Sequence, residues 1–352
     1  MRSLRSGPLL PLFALATSAF LTGWGASPTV ASSPEGTATA PATAAGAFPV
    51  TIANTYGGTT IESRPERAAT LSWSNQDVAL ALGVVPVGMP KATYGDDDGD
   101  GVLPWTYQAL EKAGATGSKL PVLFDQTDGI PFEAVSNTRP DVVLAAYSGL
   151  TQDDFTTLSK IAPTVSFPER AFGTTWRETA LLDGEALGEK AQAQAAIAGI
   201  EQQITEGLAS HPDVKGKTFA AAYIDPSDLS RFNLYLPDDA RVQFLTDLGL
   251  TVAPSVAATK PDGNGFFVKF ASENIDQLAD VDVLVTYGDD GTLATLQADP
   301  LIGKLPAVAR GSVVVLPDGA PLSAAASAPS LLSVPWMLPQ YLDLLQAAAA
   351  KV

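Results

Sequence analysis

The chain contains no cysteine and only one histidine, His211, among its 352 residues. Without cysteine there is no disulfide framework and no thiolate that could act as a nucleophile or metal ligand. A tetrahedral zinc site and a Ser-His-Asp triad lack support, because the single histidine lies at the end of a helical stretch, where we expect an exposed side chain. No glycine-rich phosphate loop follows a predicted strand. These absences disfavour the commonest metal-dependent, nucleophilic and nucleotide-using enzymes.

Basic residues are also scarce, with 21 lysines and arginines against 38 acidic residues and a formal net charge of −17. Nucleic acid would repel such a surface, whereas a soluble, monomeric protein suits it. Adaptation to high salt is an alternative reading of this acidity, but solubility is the simpler one. With 46% hydrophobic residues, the chain can bury the cores of two ordinary domains.

The N-terminus has the pattern of an export signal over residues 1–31. Arg2 and Arg5 precede an apolar run at 9–21, which is too short to span a membrane comfortably. The sequence Leu-Thr-Gly-Trp that follows resembles the Leu-Thr-Gly-Cys motif of bacterial lipoproteins, with Trp24 in the place of the lipidated cysteine. We therefore expect export to the cell envelope or beyond, and lipid anchoring by this route is doubtful. Residues 32–47, rich in Ala, Thr, Ser, Pro and Gly, are predicted to form a flexible linker.

A pattern that occurs once in each half of the chain is the most informative feature. Each copy predicts a short helix with an acidic residue, a turn, and a buried strand that ends in tyrosine. Glu133 and Tyr147 are 14 positions apart, and so are Glu273 and Tyr287. Because ligands of open α/β sheets bind at the carboxyl ends of the strands, two such lobes predict a shared cleft.

Alternating strand and helix patterns predict the α/β class in both halves. Between the halves, apolar residues at helical spacing over 189–209 predict one helix about 30 Å long, which could join the lobes as a stiff strut. An ordinary surface helix is the alternative. The predicted division is an N-terminal α/β lobe at 48–172, a bridging helical segment at 173–212 and a C-terminal α/β lobe at 213–352. The predicted strands are 50–52, 59–61, 67–71, 84–88, 142–146, 164–167, 217–224, 281–287 and 312–316, with further helices at 76–82, 239–248 and 335–351.

Three segments carry a resemblance to a known family. These are TLSWSNQDVALALGVVPVG at 70–88, RPDVVLAAYSG at 139–149 and LSKIAPTV at 158–165. Together they resemble the ferric-siderophore substrate-binding proteins of ABC importers, from residue 48 to the C-terminus. The resemblance implies two Rossmann-like lobes bridged by a single long helix, which is the class III periplasmic-binding-protein fold. It also implies a cleft for a ferric siderophore and delivery to a permease with ATPase subunits. Cobalamin or haem binding is the alternative within the fold; a secreted hydrolase and a surface adhesion module are alternatives from other classes.

A ferric siderophore is coordinatively complete, so the protein needs aromatic faces and hydrogen-bond donors rather than metal ligands, cofactors or catalytic groups. Any single aromatic candidate could instead be a core residue, and Arg170 could pair with Glu169 or Glu178 rather than with an anionic ligand. A neutral or cationic hydroxamate complex would suit an acidic, aromatic cleft, but a catecholate stays open. The ligand-binding candidates follow the strand ends: Trp73, Ser74, Asn75, Lys91, Tyr94, Trp105, Tyr147, Ser148, Arg170, Phe172, Tyr223, Phe232, Phe266, Phe267, Lys269 and Tyr287.

Two further sets of acidic residues have predicted roles. The resemblance implies that Glu133 and Glu273, one on each lobe, dock into basic pockets of the two permease subunits; the alternative is that they are solvated carboxylates at helix starts. Asp96, Asp98, Asp100 and Gly101 match positions one, three, five and six of a calcium loop, but Tyr107 occupies the twelfth position, where a glutamate is required. A solvated acidic loop is the alternative to a calcium site.

Overall fold

The computed structural model describes residues 47–261 and 265–352. The predicted export signal, Trp24 and all but the last residue of the predicted linker lie outside these ranges. Within them, no helix combines the length and apolar character needed to cross a membrane.

The described chain opens with an antiparallel hairpin of β1 (Val50–Asn54) and β2 (Gly57–Ile61), which contain the strands predicted at 50–52 and 59–61. Ile52 and Ile61 point into the core of the first lobe, where both are buried. Thr55 in the turn donates its backbone N–H to the Phe167 carbonyl at 3.0 Å, which ties the hairpin to the edge of the first sheet.

The first lobe is built on a five-stranded parallel sheet in the order β5-β4-β3-β6-β7. The first residue of β4, Gly88, must be a glycine, because a Cβ there would lie 2.2 Å from the ring of Phe124. The strands are β3 (Ala68–Thr70), β4 (Gly88–Pro90), β5 (Val122–Phe124), β6 (Val142–Ala145) and β7 (Thr164–Ser166). The helices are α1 (Asn75–Ala81), α2 (Pro104–Lys112), α3 (Phe132–Asn137) and α4 (Gln152–Leu158), with a 3₁₀ turn at Gly117–Lys119.

One strand of this sheet begins later in the chain than predicted. The apolar run at 84–88 was predicted to be a strand, but β4 starts only at Gly88. The N–H of Val84 bonds to the carbonyl of Ala79 at 2.8 Å and so completes the end of α1. Val85 is 37% exposed, so the first residues of the run form a connection rather than a buried strand.

Two helices follow the first sheet, α5 (Trp176–Ala186) and α6 (Lys190–Ala209). Helix α6 has 20 residues and is about 30 Å long. Its buried face consists of Ala193, Ile197, Ile200 and Ile204, the periodic positions that predict the helix from sequence. The prediction of one long helix at 189–209 is therefore confirmed.

The second lobe contains a six-stranded mixed sheet in the order β11-β9-β8-β12-β13, with β10 also pairing with β8. Strands β9 and β11 pair antiparallel, and the sequence patterns did not predict either of them. The strands are β8 (Thr218–Tyr223), β9 (Arg231–Tyr235), β10 (Thr251–Val252), β11 (Phe267–Ala271), β12 (Val283–Gly288) and β13 (Val313–Pro317). The helices are α7 (Ala240–Asp247), α8 (Pro254–Ala258), α9 (Thr292–Ala298), α10 (Pro306–Ala309), α11 (Pro321–Ser327) and α12 (Ser333–Ala349), with 3₁₀ helices at Ser272–Leu278 and Ile302–Lys304.

His211 joins the end of α6 to α12 and is not the freely exposed side chain expected from sequence. Its Nδ1 lies 2.7 Å from the Gly207 carbonyl, which accepts its proton, and its Nε2 lies 3.1 Å from Asp343 Oδ1. The hydrogen bond to Gly207, followed by the contact with Asp343, raises the pKa of His211 above its usual value of about 6.5.

This raised pKa predicts a pH-dependent contribution to stability. A histidine whose pKa is raised by folding stabilises the protein fully below the unfolded pKa, and this contribution is lost as the pH rises through the folded pKa. His211→Gln should therefore lower the free energy of unfolding more at pH 5.5 than at pH 8.5, by less than about 1 kcal/mol. Urea titrations of both proteins at the two pH values measure this difference. Asp343→Asn should reduce the difference without abolishing it, and equal losses at both pH values would contradict the assignment.

Candidate ligand-binding cleft

A cleft of about 520 Å³ lies between the two sheets, at the carboxyl ends of their strands. Trp73 and Tyr147 follow β3 and β6, Tyr223 and Tyr287 lie at the ends of β8 and β12, and Asp318 follows β13. This volume is typical of sites for small molecules. The complete lining is Trp73, Tyr94, Tyr147, Phe172, Tyr223, Tyr235, Asp239, Arg241, Phe266, Tyr287, Asp318, Ser327 and Ala328.

The walls of the cleft are mainly aromatic rings in mutual contact. Trp73 and Tyr94 have ring centroids 6.2 Å apart, and Phe172 meets Tyr147 at 5.6 Å and Phe266 of the other lobe at 6.3 Å. Centroid distances of this size are favourable for aromatic pairs. Phe172 has a φ of 56°, which is uncommon for a side chain of this size. The cleft therefore offers apolar faces that are held in place from both lobes.

The repeated tyrosines, Tyr147 and Tyr287, both reach this cleft. Burial raises the pKa of Tyr147, so its hydroxyl stays protonated at neutral pH and can donate a hydrogen bond. The hydroxyl of Tyr287 lies 3.1 Å from Ser327 Oγ, and its ring is 6.3 Å from that of Tyr223.

The basic group of the cleft is Arg241, on α7. Its Nε and Nη2 donate to Oδ1 and Oδ2 of Asp239, each at 2.8 Å, and its guanidinium carbon lies 3.6 Å from the ring centroid of Tyr235. Burial alone would lower the pKa of Arg241, but Asp239 outweighs burial and holds the pKa well above its usual value. Burial also raises the pKa of Tyr235 to about 12, against the opposing charge of Arg241. Among the described residues, the hydrogen bonds of Arg241 to Asp239 use Nε and Nη2 and leave Nη1 outside this pair, and Arg241 lines the cleft.

Two polar contacts join the lobes at the rim of the cleft. Arg170 Nη1 lies 2.6 Å from Asp238 Oδ2, so its partner is in the other lobe rather than at Glu169 or Glu178. The hydroxyl of Tyr94 donates to Asp318 Oδ1 at 2.8 Å. A smaller chamber of about 60 Å³ adjoins the cleft behind Trp73 and Tyr94, and it is too small for a metal chelate.

The comparisons with known proteins agree with this geometry. A family model described as periplasmic binding protein matches residues 69–320. The chain belongs to this family. The crystal structure of PiaA from Streptococcus pneumoniae TIGR4 in complex with ferrichrome is 40% identical, covers 86% of this chain and 99% of that chain, and superposes with a TM-score of 0.82.

Two further relatives lie at greater distance. A periplasmic solute binding protein from Mycobacterium smegmatis is 28% identical, with 85% of this chain and 98% of that chain covered and a TM-score of 0.68. The Fe(3+) dicitrate-binding periplasmic protein FecB of Escherichia coli is 25% identical over 278 residues, or 76% of this chain and 82% of that protein. The resemblance to siderophore-binding proteins and the predicted two-lobed α/β fold with one bridging helix are thus confirmed.

Seven of the sixteen predicted ligand-binding residues line the cleft of this periplasmic binding protein, so the strand-end argument located the edge of each sheet at which the cleft lies. These seven are Trp73, Tyr94, Tyr147, Phe172, Tyr223, Phe266 and Tyr287. The other nine are placed elsewhere: Ser74, Asn75, Lys91, Trp105, Ser148, Arg170, Phe232, Phe267 and Lys269.

Several of these nine have structural partners in the fold. Asn75 is fully buried, and its side-chain amide donates to the carbonyls of Trp73 and Tyr147, both at 3.0 Å. Trp105 is buried and donates to a carboxylate of α1. Phe232 packs against Phe270 on the other face of the second sheet.

Four others of the nine also lie outside the lining of the cleft. Ser148 is fully buried, and Phe267 packs against Phe266 without lining the cleft. Lys269 is exposed on β11, and Lys91 is exposed beside the small chamber. Direct ligand contact by these residues stays a prediction.

Six cleft residues were not predicted from sequence: Tyr235, Asp239, Arg241, Asp318, Ser327 and Ala328. Tyr235, Asp239 and Arg241 follow or end β9, a strand that carries Arg231 and Asn233 and so lacks an apolar run. The available signal was the sequence Asp-Ala-Arg at a helix start, where Asp239 caps α7 by accepting the N–H of Arg241 at 2.9 Å.

The acidic loop brings ligand atoms of Asp96, Asp98 and Asp100 within 4.8 Å of one another. The carboxylate of Asp96 accepts the N–H groups of Gly99 and Gly101 at 2.9 and 2.8 Å, so the loop already supplies it with partners. Burial, followed by the charges of Asp98 and Asp96, raises the pKa of Asp100. Calcium binding stays a prediction.

Glu133 and Glu273 are both exposed. Glu133 lies in the first turn of α3, as predicted. Glu273 lies in the first turn of a 3₁₀ helix at Ser272–Leu278 rather than on an α-helix. Their docking role stays a prediction.

Proposed function

We propose that this periplasmic binding protein captures a ferric siderophore of the hydroxamate class in the inter-lobe cleft and delivers it unchanged to an ABC permease. The observation that carries the proposal is an aromatic cleft whose one lining cation among the described residues, Arg241, is already paired with Asp239. The likeness to PiaA, whose structure contains ferrichrome, an iron(III) hydroxamate, supports the same class.

The charges of the cleft favour a neutral or cationic chelate. Its lining carries two carboxylates, Asp239 and Asp318, and one guanidinium, Arg241, which gives a formal sum of −1. Ferric catecholates and ferric dicitrate are anions, and they would be repelled by Asp318 with no unpaired lining cation to compensate. Ferric hydroxamates such as ferrichrome avoid this repulsion because the three ligand charges neutralise the iron.

Hydrogen-bond donors in the cleft match the oxygens of such a chelate. Nη1 of Arg241 and the hydroxyl of Tyr147 can donate to hydroxamate oxygens, which carry the partial negative charge around the iron. Trp73 and Phe172 supply apolar faces for the alkyl parts of the ligand. All six coordination positions of the iron stay with the chelate, so the protein needs no metal ligand, cofactor or catalytic group.

The proposed function includes delivery of the chelate to the permease. The protein acts outside the cytoplasm as a monomer, with working lobes at 48–172 and 213–352 and a bridge at 173–212. Glu133 and Glu273 contact the two permease subunits, and ATPase subunits power import through that permease. Their exposure on separate lobes supports this role.

Titration of the purified protein with chelates of different classes tests the proposal. Ferrichrome should bind with a Kd of about 1 μM or tighter, and ferric enterobactin, ferric dicitrate, haem and cobalamin at least about 100-fold more weakly. Trp73 is 38% exposed and lines the cleft, so binding should quench tryptophan fluorescence, and Trp73→Phe should remove most of that signal. Tighter binding of a catecholate, haem or cobalamin would replace the proposed ligand class. Mass spectrometry that found a cleaved siderophore after incubation would replace the binding protein by a hydrolase.

A further inference from the structure

A buried carboxylate, Asp77 on α1, joins the two halves of the chain at the small chamber that adjoins the cleft. Its Oδ2 accepts from Trp105 Nε1 at 2.7 Å and from Ser330 Oγ at 2.6 Å, and its Oδ1 accepts from Thr106 Oγ1 at 2.6 Å. The Asp77 residue is 2% exposed. Burial raises its pKa, while these three hydrogen bonds oppose the shift. Ser330 is 253 positions away along the chain, so this carboxylate connects the first lobe to the segment that leads into α12.

Neighbouring contacts strengthen the same connection. Ser74 Oγ, at the start of α1, donates to the Ala328 carbonyl at 3.0 Å. Ser330 Oγ also accepts the N–H of Ser333 at 2.9 Å, which ties Asp77 to the first turn of α12. The ring of Trp105 lies 5.1 Å from that of Trp336 on α12. We call the set Ser74, Asp77, Trp105, Thr106 and Ser330 the α1 brace.

The α1 brace lies next to cleft residues from both halves. Trp73 immediately precedes Ser74, and Ala328, whose carbonyl accepts from Ser74, lines the cleft itself. Ser72 and Ser74 have φ angles of 57° and 70°, a conformation that non-glycine residues rarely adopt unless the surroundings hold them in it. Through the bond from Ser74 to Ala328, the brace holds the backbone at Trp73 close to that at Ala328.

We propose that Asp77 is a positioning residue, which sets the separation of the lobes beside the cleft before a chelate enters. A cleft that is already in its binding arrangement loses less conformational freedom on binding, and this increases affinity. The proposal rests on the proposed chelate binding for its effect on affinity, whereas its effect on the separation of the lobes is independent of any ligand.

Asp77→Leu removes the brace with a small change of shape, because leucine branches where aspartate does but offers no acceptor. The indole N–H of Trp105 can only donate, so it loses its acceptor. The hydroxyls of Ser330 and Thr106 lose theirs as well. Ser330→Ala removes the bond between the halves while leaving Asp77 its partners Trp105 and Thr106. The matched control is Asp183→Leu, because Asp183 on α5 is also a fully buried carboxylate, but its oxygens have no hydrogen-bond partner within the described residues.

Electron-paramagnetic-resonance distance measurements can test this directly, since the chain has no cysteine of its own. Spin labels at Gln152→Cys on α4 and Ala294→Cys on α9, both exposed, report the separation of the lobes. Without ligand, Asp77→Leu and Ser330→Ala should broaden the distance distribution, and Asp183→Leu should leave it unchanged. Ferrichrome affinity should fall about tenfold in Asp77→Leu, less in Ser330→Ala, and not in Asp183→Leu.

The outcomes separate positioning from mere stabilisation. If Asp77→Leu lowers the melting temperature but keeps both the distance distribution and the ferrichrome affinity of the wild type, the proposal is wrong. If Asp77→Leu does not fold, Ser330→Ala decides by the same two measurements. If the wild type binds no ferrichrome, the proposed function fails, and the distance distributions alone then support or overturn the role of Asp77.

Discussion

Replacing Glu133 and Glu273 together by alanine is expected to reduce chelate uptake by cells about 100-fold or more, while the purified protein binds the chelate as before. Both side chains are exposed and neither lines the cleft, so the substitutions should change neither the binding site nor the folded core. Loss of one charged partner at a protein interface commonly costs about 2 kcal/mol or more. Two such losses on one docking surface account for the expected decrease. Uptake of radiolabelled ferric chelate by a strain that depends on this protein measures the effect.

The control must change the net charge equally without touching the proposed docking surface. Asp153 and Asp290 are exposed, lie in different halves of the chain and accept no hydrogen bond from the described residues. Asp153→Ala with Asp290→Ala should leave uptake intact. If this control impairs uptake as much as the glutamate pair does, the cause is general charge. If uptake survives the loss of both glutamates, the docking assignment is wrong.

Features that depend on local periodicity could be predicted from the sequence. The apolar spacing of Ile197, Ile200 and Ile204 defines helix α6 to within one residue of its observed start. The repeated spacing from Glu133 to Tyr147 and from Glu273 to Tyr287 places both tyrosines in one cleft. This succeeded because parallel strands all present their carboxyl ends at the same edge of a sheet, so a strand end can be located without knowing the tertiary contacts.

Features that depend on pairing between distant segments could not be predicted from the sequence. Strands β9 and β11 pair antiparallel and include Arg231, Asn233 and Lys269, so neither has the continuous apolar run by which β6 and β12 are recognised. Arg241 falls in the predicted helix at 239–248, but with β9 unrecognised its position at the cleft could not be predicted.

Trp105 illustrates a second limit of the sequence. It follows a strand, as ligand-contacting aromatics do, yet its indole N–H binds Asp77, 28 positions earlier. The segment at Ser327 and Ala328 has no distinctive chemistry, and its contacts at the cleft come from distant parts of the chain: Ala328 accepts from Ser74, and Ser327 lies beside the hydroxyl of Tyr287.

Arg241→Ala is expected to weaken chelate binding about 100-fold, which is the largest effect of any single substitution in the cleft. The substitution removes the donor at Nη1 and the cation that stacks on Tyr235. It also leaves Asp239, which is 3% exposed, as an unpaired carboxylate beside the ligand. Removal of one partner of a buried ion pair typically costs about 3 kcal/mol or more. Arg241→Lys keeps the charge but cannot form the two parallel hydrogen bonds to Asp239. Its affinity should therefore lie between that of Arg241→Ala and that of the wild type.

A double substitution separates the two causes. Asp239→Asn with Arg241→Ala removes the unpaired charge while still lacking the guanidinium. If the unpaired Asp239 carboxylate is responsible, the double variant should recover about tenfold or more of the affinity lost in Arg241→Ala. If the double variant binds as weakly as the single one, the loss reflects the direct contact between Nη1 and the chelate. Calorimetric titration with ferrichrome distinguishes these results, and wild-type affinity in Arg241→Ala would mean that the ion pair only shapes the cleft wall, because neither cause would then act on the ligand.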